Sequence, residues 1–166
     1  MQCGFRKSML AMVAIPLVSA LTGCAGVRLY PIEGPLSAQT PPPIFSAKIS
    51  GIISGPFSFT LTGGEVCKGH WAPHESQNIS ANQLAGLHRA WDKICGPGFY
   101  TAHVLGISRL ASGTGTTNKG SNLSLELIVP NGGGEGEQNL DHIHGIAVDN
   151  QGNVFKVTLR GFGDRS

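Results

Sequence analysis

Hydrophobic positions along the chain fall mostly into short alternating runs, which predict strands. Ile44 to Ile53 is partly alternating, and Phe57 to Thr62 is strictly so, with Phe57, Phe59 and Leu61 on one face. Gly55-Pro56 separates the two runs and Gly63-Gly64 ends the second, as turns should. Glu65 to Trp71 reads as a third strand, so three strands in close succession suggest an antiparallel meander. Phe99 to Ile107 reads as a central strand, and Leu123 to Val129 as another with Leu123, Leu125, Leu127 and Val129 facing one way. The last hairpin runs from Ile143 to Val148, turns at Asp149-Asn150-Gln151-Gly152 and returns from Val154 to Leu159. Its alternation turns Phe155, Val157 and Leu159 to the core, leaving Val154, Lys156 and Thr158 on the other face.

One segment breaks the pattern. Leu84, Leu87, Trp91 and Ile94 recur every three or four residues, predicting a helix from Ser80 to Ile94. Ser80 and Gln83 form a capping box at its start, and Gly96-Pro97 supplies the stop. His88, Arg89, Asp92 and Lys93 then fall on its solvent side. The polar stretch Ser112 to Gly120 reads as a flexible hairpin loop, and Pro130 to Asn139 as loose chain. The expected fold is mainly β, an antiparallel sandwich or strongly curved sheet with one α-helix. Trp71, Trp91, Phe99 and Tyr100 could line a ligand groove, though filling the core of a small sheet domain explains them as well.

The N-terminus is of another kind. Arg6 and Lys7 precede an uncharged apolar run from Met9 to Leu21, closed by Leu21-Thr22-Gly23-Cys24. The run is shorter than the ~18–20 apolar residues needed to span a bilayer, and Pro16 interrupts it. A short basic region, an apolar stretch and small residues at the end make up a secretory signal. The closing tetrapeptide resembles the lipobox of bacterial lipoproteins. That resemblance implies cleavage between Gly23 and Cys24, acylation of the Cys24 thiol, and attachment to the lipid bilayer by two or three chains, where one would be marginal. Residues 1–23 are then a cleaved signal peptide, 24–43 a tether rich in proline, and 44–163 a single β-rich domain. The tether is expected because Pro31, Pro35 and Pro41-Pro42-Pro43 remove backbone donors; extended, it would reach ~60 Å at ~3.1 Å per residue. Leu29, Tyr30, Ile32 and Leu36 are nonetheless too apolar for a purely solvated linker and suggest that part of it lies against the domain. Ala25, where Asp would favour inner-membrane retention, points to the outer membrane of a two-membrane cell.

Cleavage changes the charge balance. The 166 residues carry 12 Lys and Arg against 10 Asp and Glu. Arg6 and Lys7 leave with the leader, so the mature chain is formally neutral and has no basic surplus for nucleic acid. Of four cysteines, Cys3 is discarded and Cys24 acylated. Cys67 and Cys95 remain, and an oxidising compartment suggests that they pair. Closing that loop of about 29 residues corresponds to roughly 3–4 kcal/mol, with two separately buried thiols as the alternative.

Little points to catalysis or a cofactor. On a strand His142 and His144 share a face beside Asp141 and could offer imidazoles to zinc or copper, with His70 or His74 as a third ligand. Histidines at a polar loop-to-strand junction are usually just solvated, and no metal is assigned. There is no Gly-x-Ser-x-Gly elbow. His103 reads as a sheet histidine, and nothing sets Glu65 and Glu126 at the ~5–9 Å of paired glycosidase carboxylates. Gly132-Gly133-Gly134 lacks the Lys-Ser/Thr that follows in a phosphate loop.

Four segments, Val27 to Pro31, Gly34 to Leu36, Gly64 to Gly69 and Gly98 to Gly106, resemble those of a group of small, uncharacterised bacterial lipoproteins. That resemblance supports the architecture and implies no activity. The expected role is non-enzymatic: a lipid-anchored protein that binds or supports an envelope protein or polysaccharide. A second expectation is an inhibitor of a wall-degrading enzyme, with Ser112 to Gly120 as its plug.

Overall fold

The computed structural model describes residues 24–51, 53–76, 79–107, 110–128 and 145–159. Eight antiparallel strands close into a barrel in which every strand pairs with its sequence neighbours and the last returns to the first. They are β1 (Cys24–Glu33), β2 (Phe45–Ser50), β3 (Gly55–Thr60), β4 (Val66–Pro73), β5 (Leu110–Thr117), β6 (Asn122–Ile128), β7 (Gly145–Asp149) and β8 (Val154–Leu159). The sheet expected to curve strongly therefore curves to full closure, which leaves no exposed edge.

Period-two alternation decides which side chains fill the lumen. Val27 and Leu29, Phe45, Ala47 and Ile49, Phe57 and Phe59, Cys67 and Trp71, Leu123, Leu125 and Leu127, and Phe155 and Val157 form one inner core. An eight-stranded barrel is just wide enough to be filled by such side chains. Outward positions such as Ser46, Lys48, Lys68, His70, Thr114 and Thr116 are exposed. Apolar inside and polar outside is the reverse of a membrane-spanning barrel.

Three expectations fail here, each for a physical reason. The tether is, as far as Glu33, strand β1, paired with β2 on one side and β8 on the other. Val27 and Leu29 alternate inward, and Pro31 stands where the β1–β8 register shifts, so its missing donor is tolerated. Leu36 continues onto the inner core, and its backbone N–H donates to Asn153 Oδ1 at 3.0 Å. The barrel therefore includes residues 24–33, and a domain boundary at residue 44 falls too late.

Ser112 to Thr117, expected in a loop, belongs to β5. Gly113 and Gly115 face inward because the Phe57 ring occupies the space their side chains would need. A Cβ added at Gly115 would lie 2.9 Å from Phe57 Cζ, and one at Gly69 across the sheet 2.3 Å from the same atom. The Gly/Thr alternation is a strand in which the inward residue has been reduced to hydrogen.

Tyr100–Val104, expected in a strand, is a π-helical turn in which Leu105 N donates to Tyr100 O at 2.8 Å. Tyr100 and Val104 fall on one side of that turn and are buried.

The predicted helix is present as α1 (Ala81–Cys95), with the capping box at Ser80 and Gln83 formed and Gly96 ending it at φ 112°. Leu87, Ala90 and Trp91 pack against Leu110, Ile128, Ile146, Tyr100 and Val104 in a second core outside the barrel wall. The last hairpin is as expected, with Phe155 and Val157 in the lumen.

Candidate functional site

Two polar regions lie where α1 crosses the barrel. The first is buried. On β6 the inward residues are leucines, so Ser124, Glu126 and Ile128 point outward, and α1 covers Glu126 completely (0% exposed). Trp91 Nε1 donates to Glu126 Oε2 at 2.9 Å, tying helix to sheet. Glu126 Oε1 has no hydrogen-bond partner among the described residues. Its nearest basic group is His74 Nδ1 at 3.7 Å, and that nitrogen is hydrogen-bonded to Ser112 Oγ at 2.5 Å. Burial pushes the Glu126 carboxyl up to about 7, partly offset by the Trp91 bond. Tyr100, raised to about 12 by burial and then by Glu126, lies close by.

His88 on α1 stacks on Tyr100 with centroids 3.6 Å apart, and its buried Nε2 has no partner among the described residues. Burial, then His74, hold its pKa below the usual imidazole value, against a smaller upward pull from Asp92. His88 and Asp92 were expected on the solvent side of the helix. His88 is instead half-buried against Tyr100, and Asp92 accepts from Gly98 N at 3.1 Å and Tyr100 N at 2.8 Å, fixing the π-helical turn to the end of α1.

Ser, His and Glu are thus in contact, but not as a relay. Both Ser112 Oγ and Glu126 Oε1 approach the same imidazole nitrogen, whereas a catalytic triad uses the two ring nitrogens separately. Ser112 is also fully buried. The cluster has the build of a buried polar seat for α1.

The second region is open. A cleft of about 400 Å³ separates the first half of α1 from β6 and β7. Ser124 and Asp149 form its floor, and Asn82, Arg89, Asn122 and Asn150 its rim. Asp149 is spent on its own turn: Gln151 N and Asn153 N donate to Oδ1, and Asn153 Nδ2 to Oδ2 at 2.7 Å. Asn150 Oδ1 accepts from Asn122 N at 3.1 Å, locking the two turns together. No ion pair joins Arg89 to a carboxylate among the described residues. The rim therefore offers amides and one guanidinium, a surface suited to a hydrogen-bonding ligand.

No family model, curated protein or solved structure matches the chain.

The residues singled out from sequence are scattered. Cys24 opens β1, its backbone opposite Ser50 of β2. The disulfide is not formed: Cys67 and Cys95 are free thiols on opposite sides of the barrel wall, Cys67 in the lumen and Cys95 against the outer core. Burial, then Glu65, push the Cys67 thiol up to about 11; burial also raises Cys95, against a downward pull from Lys156. His70 is exposed on β4, and His103 is exposed on the π-helical turn with its ring 4.8 Å from Phe99. Gly23, His142 and His144 lie outside the described residues, so the possible metal pair is not placed. No group of three His, Cys, Asp or Glu suited to a metal occurs among the described residues.

Trp71 fills the lumen with Nε1 donating to Ser50 O at 2.9 Å, while Trp91, Phe99 and Tyr100 pack in the outer core rather than lining a groove. The plug expected at Ser112 to Gly120 is mostly strand β5, leaving only a tight turn at its end. Sequence reasoning missed both the Glu126 seat and the cleft. Glu126 carried one signal, a carboxylate set amid the apolar residues of a strand.

Proposed function

We propose that the chain is a lipid-anchored envelope protein that acts by binding, held to the membrane through acylated Cys24 and offering the cleft beside α1 to its ligand. The observation that carries this reading is the placement of the cleft. Antiparallel closure puts Cys24 at the barrel end shared with the β2–β3 and β4–β5 connections, whereas Asn122, Asp149 and Asn150 lie at the opposite end. A barrel anchored at Cys24 therefore presents the cleft away from the bilayer, where envelope polymers are within reach. Amides, a hydroxyl and a guanidinium without an ion-pair partner among the described residues suit a polysaccharide with hydroxyl and N-acetyl groups better than an apolar ligand. The non-enzymatic part of the reading rests on the burial of Ser112 and Glu126.

Two measurements test it. Cys24→Ser should move the protein from the membrane to the soluble fraction, and a variant that stays bound removes the anchor. Co-sedimentation of the full chain with purified cell-wall sacculi should weaken markedly in an Asn82→Ala, Arg89→Ala double variant. Undiminished sedimentation of that variant would remove the cleft from the binding reading.

A further inference from the structure

We propose that the barrel lies directly on the bilayer by the end carrying Cys24, with Ile53 and Leu105 entering the interface; this rests on the lipid-anchor reading above. Cys24 is not followed by a spacer. Its own backbone is the first position of β1, opposite Ser50, and the next residues continue the same ladder. An acyl-bearing residue built into the sheet cannot hold the barrel clear of the membrane, so the adjoining turn must meet the headgroups.

That turn, residues 51–54, joins β2 to β3 immediately after Ser50. It carries Ile53, at 73% the most exposed large apolar side chain among the described residues. Leu105, 61% exposed, belongs to the connection that enters β5 at the same end. The described residues immediately beside them (Gly51, Ser54, Gly106, Ile107) carry no charge, and the exposed carboxylate at this end, Glu75, follows β4 instead. Apolar and beside the lipid, these two stretches match the boundary between headgroups and acyl chains, where exposed aliphatic side chains add to the hold of the anchor. The other exposed large apolar residues among those described, Ile32 and Ile44, lie at the other end and take no part.

The test uses the full chain, leader included, processed in a bacterium and reconstituted into phosphatidylethanolamine–phosphatidylglycerol vesicles. In a Cys95→Ala background, an environment-sensitive fluorophore is attached at Ile53→Cys, Leu105→Cys or Asn150→Cys, the last at the cleft end. Cys67 is buried in the lumen and stays unlabelled. Probes at 53 and 105 should brighten several-fold on reconstitution and be quenched by spin-labelled lipid, while the probe at 150 does neither. If the protein floats with the vesicles but the probes at 53 and 105 behave like that at 150, the docking surface is wrong and the anchor stands. If protein with Cys24 intact does not float, the anchor reading fails and this inference with it.

Discussion

Glu126 shows how much one buried carboxylate asks of its surroundings. Its ordinary value of 4.5 is raised to about 7, so the fold prefers the neutral acid. With the folded value above the unfolded one, the group's contribution is fully present below about 4.5 and is lost as pH rises through about 7. Glu126→Gln keeps the shape and an acceptor for Trp91 without the charge. Its unfolding free energy from urea titration should match wild type near pH 4 and exceed it near pH 8, by up to about 3 kcal/mol at about 1.36 kcal/mol per pKa unit. His74 and Tyr100 lie near the same carboxyl and His88 beside them, so the difference between the two proteins, not either profile alone, is the diagnostic. Equal pH dependence in both would remove Glu126 as its source. Phe57 makes a second demand at this scale. A Cβ at Gly115 meets only side chains, Phe57 and Cys67 Sγ at 3.0 Å, whereas one at Gly69 also meets the backbone oxygen of Thr114 at 2.4 Å. Gly115→Ala should cost about 1–3 kcal/mol by overpacking and be largely rescued by Phe57→Leu; Gly69→Ala should not. Thermal unfolding of the four variants measures the coupling, and equal rescue at both glycines would refute the lumen geometry.

Elements were legible where the signal is local. The capping box, the 3–4-residue stripe and the glycine stop define α1 within its own residues, and the alternation of β8 defines its faces. The capping box also predicts a magnitude: Ser80→Ala should cost about 1 kcal/mol of stability, read as a lower urea midpoint. Because the first half of α1 forms one wall of the cleft, the same change should weaken sacculus binding more than it weakens the rest of the fold. Hydrogen exchange confined to the first turn would confirm where the loss falls; uniform exchange across α1 would contradict it. Elements were illegible where long-range packing decides. Gly113 and Gly115 read as loop residues until Phe57, from another strand, is known to fill their places. Tyr100 to Val104 has the composition of a strand, but Asp92 caps it from α1 and turns it into a π-helical turn. Glu126 read as an isolated carboxylate because nothing local says that a helix on the far side of β5 in sequence, with Trp91 35 positions away, would cover it.

At the scale of the molecule, closure is the property the sequence concealed most. Prolines after Cys24 suggested a tether, yet β1 is the strand that joins β2 to β8. Without it the barrel has two open edges of unpaired backbone groups and a lumen exposed along one side, both routes to aggregation. Val27 and Leu29, each 2% exposed, would also be lost from the inner core. A chain begun at residue 44, the boundary that proline content suggests, should therefore fail to fold cooperatively, whereas one begun at Cys24 with Cys24→Ser should fold and stay soluble. Circular dichroism on heating and size-exclusion chromatography distinguish the two. A cooperative, monomeric 44–166 fragment would mean that β1 is not needed to close the sheet. It would also restore a spacer between lipid and barrel, removing the reason for the Cys24 end to rest on the membrane.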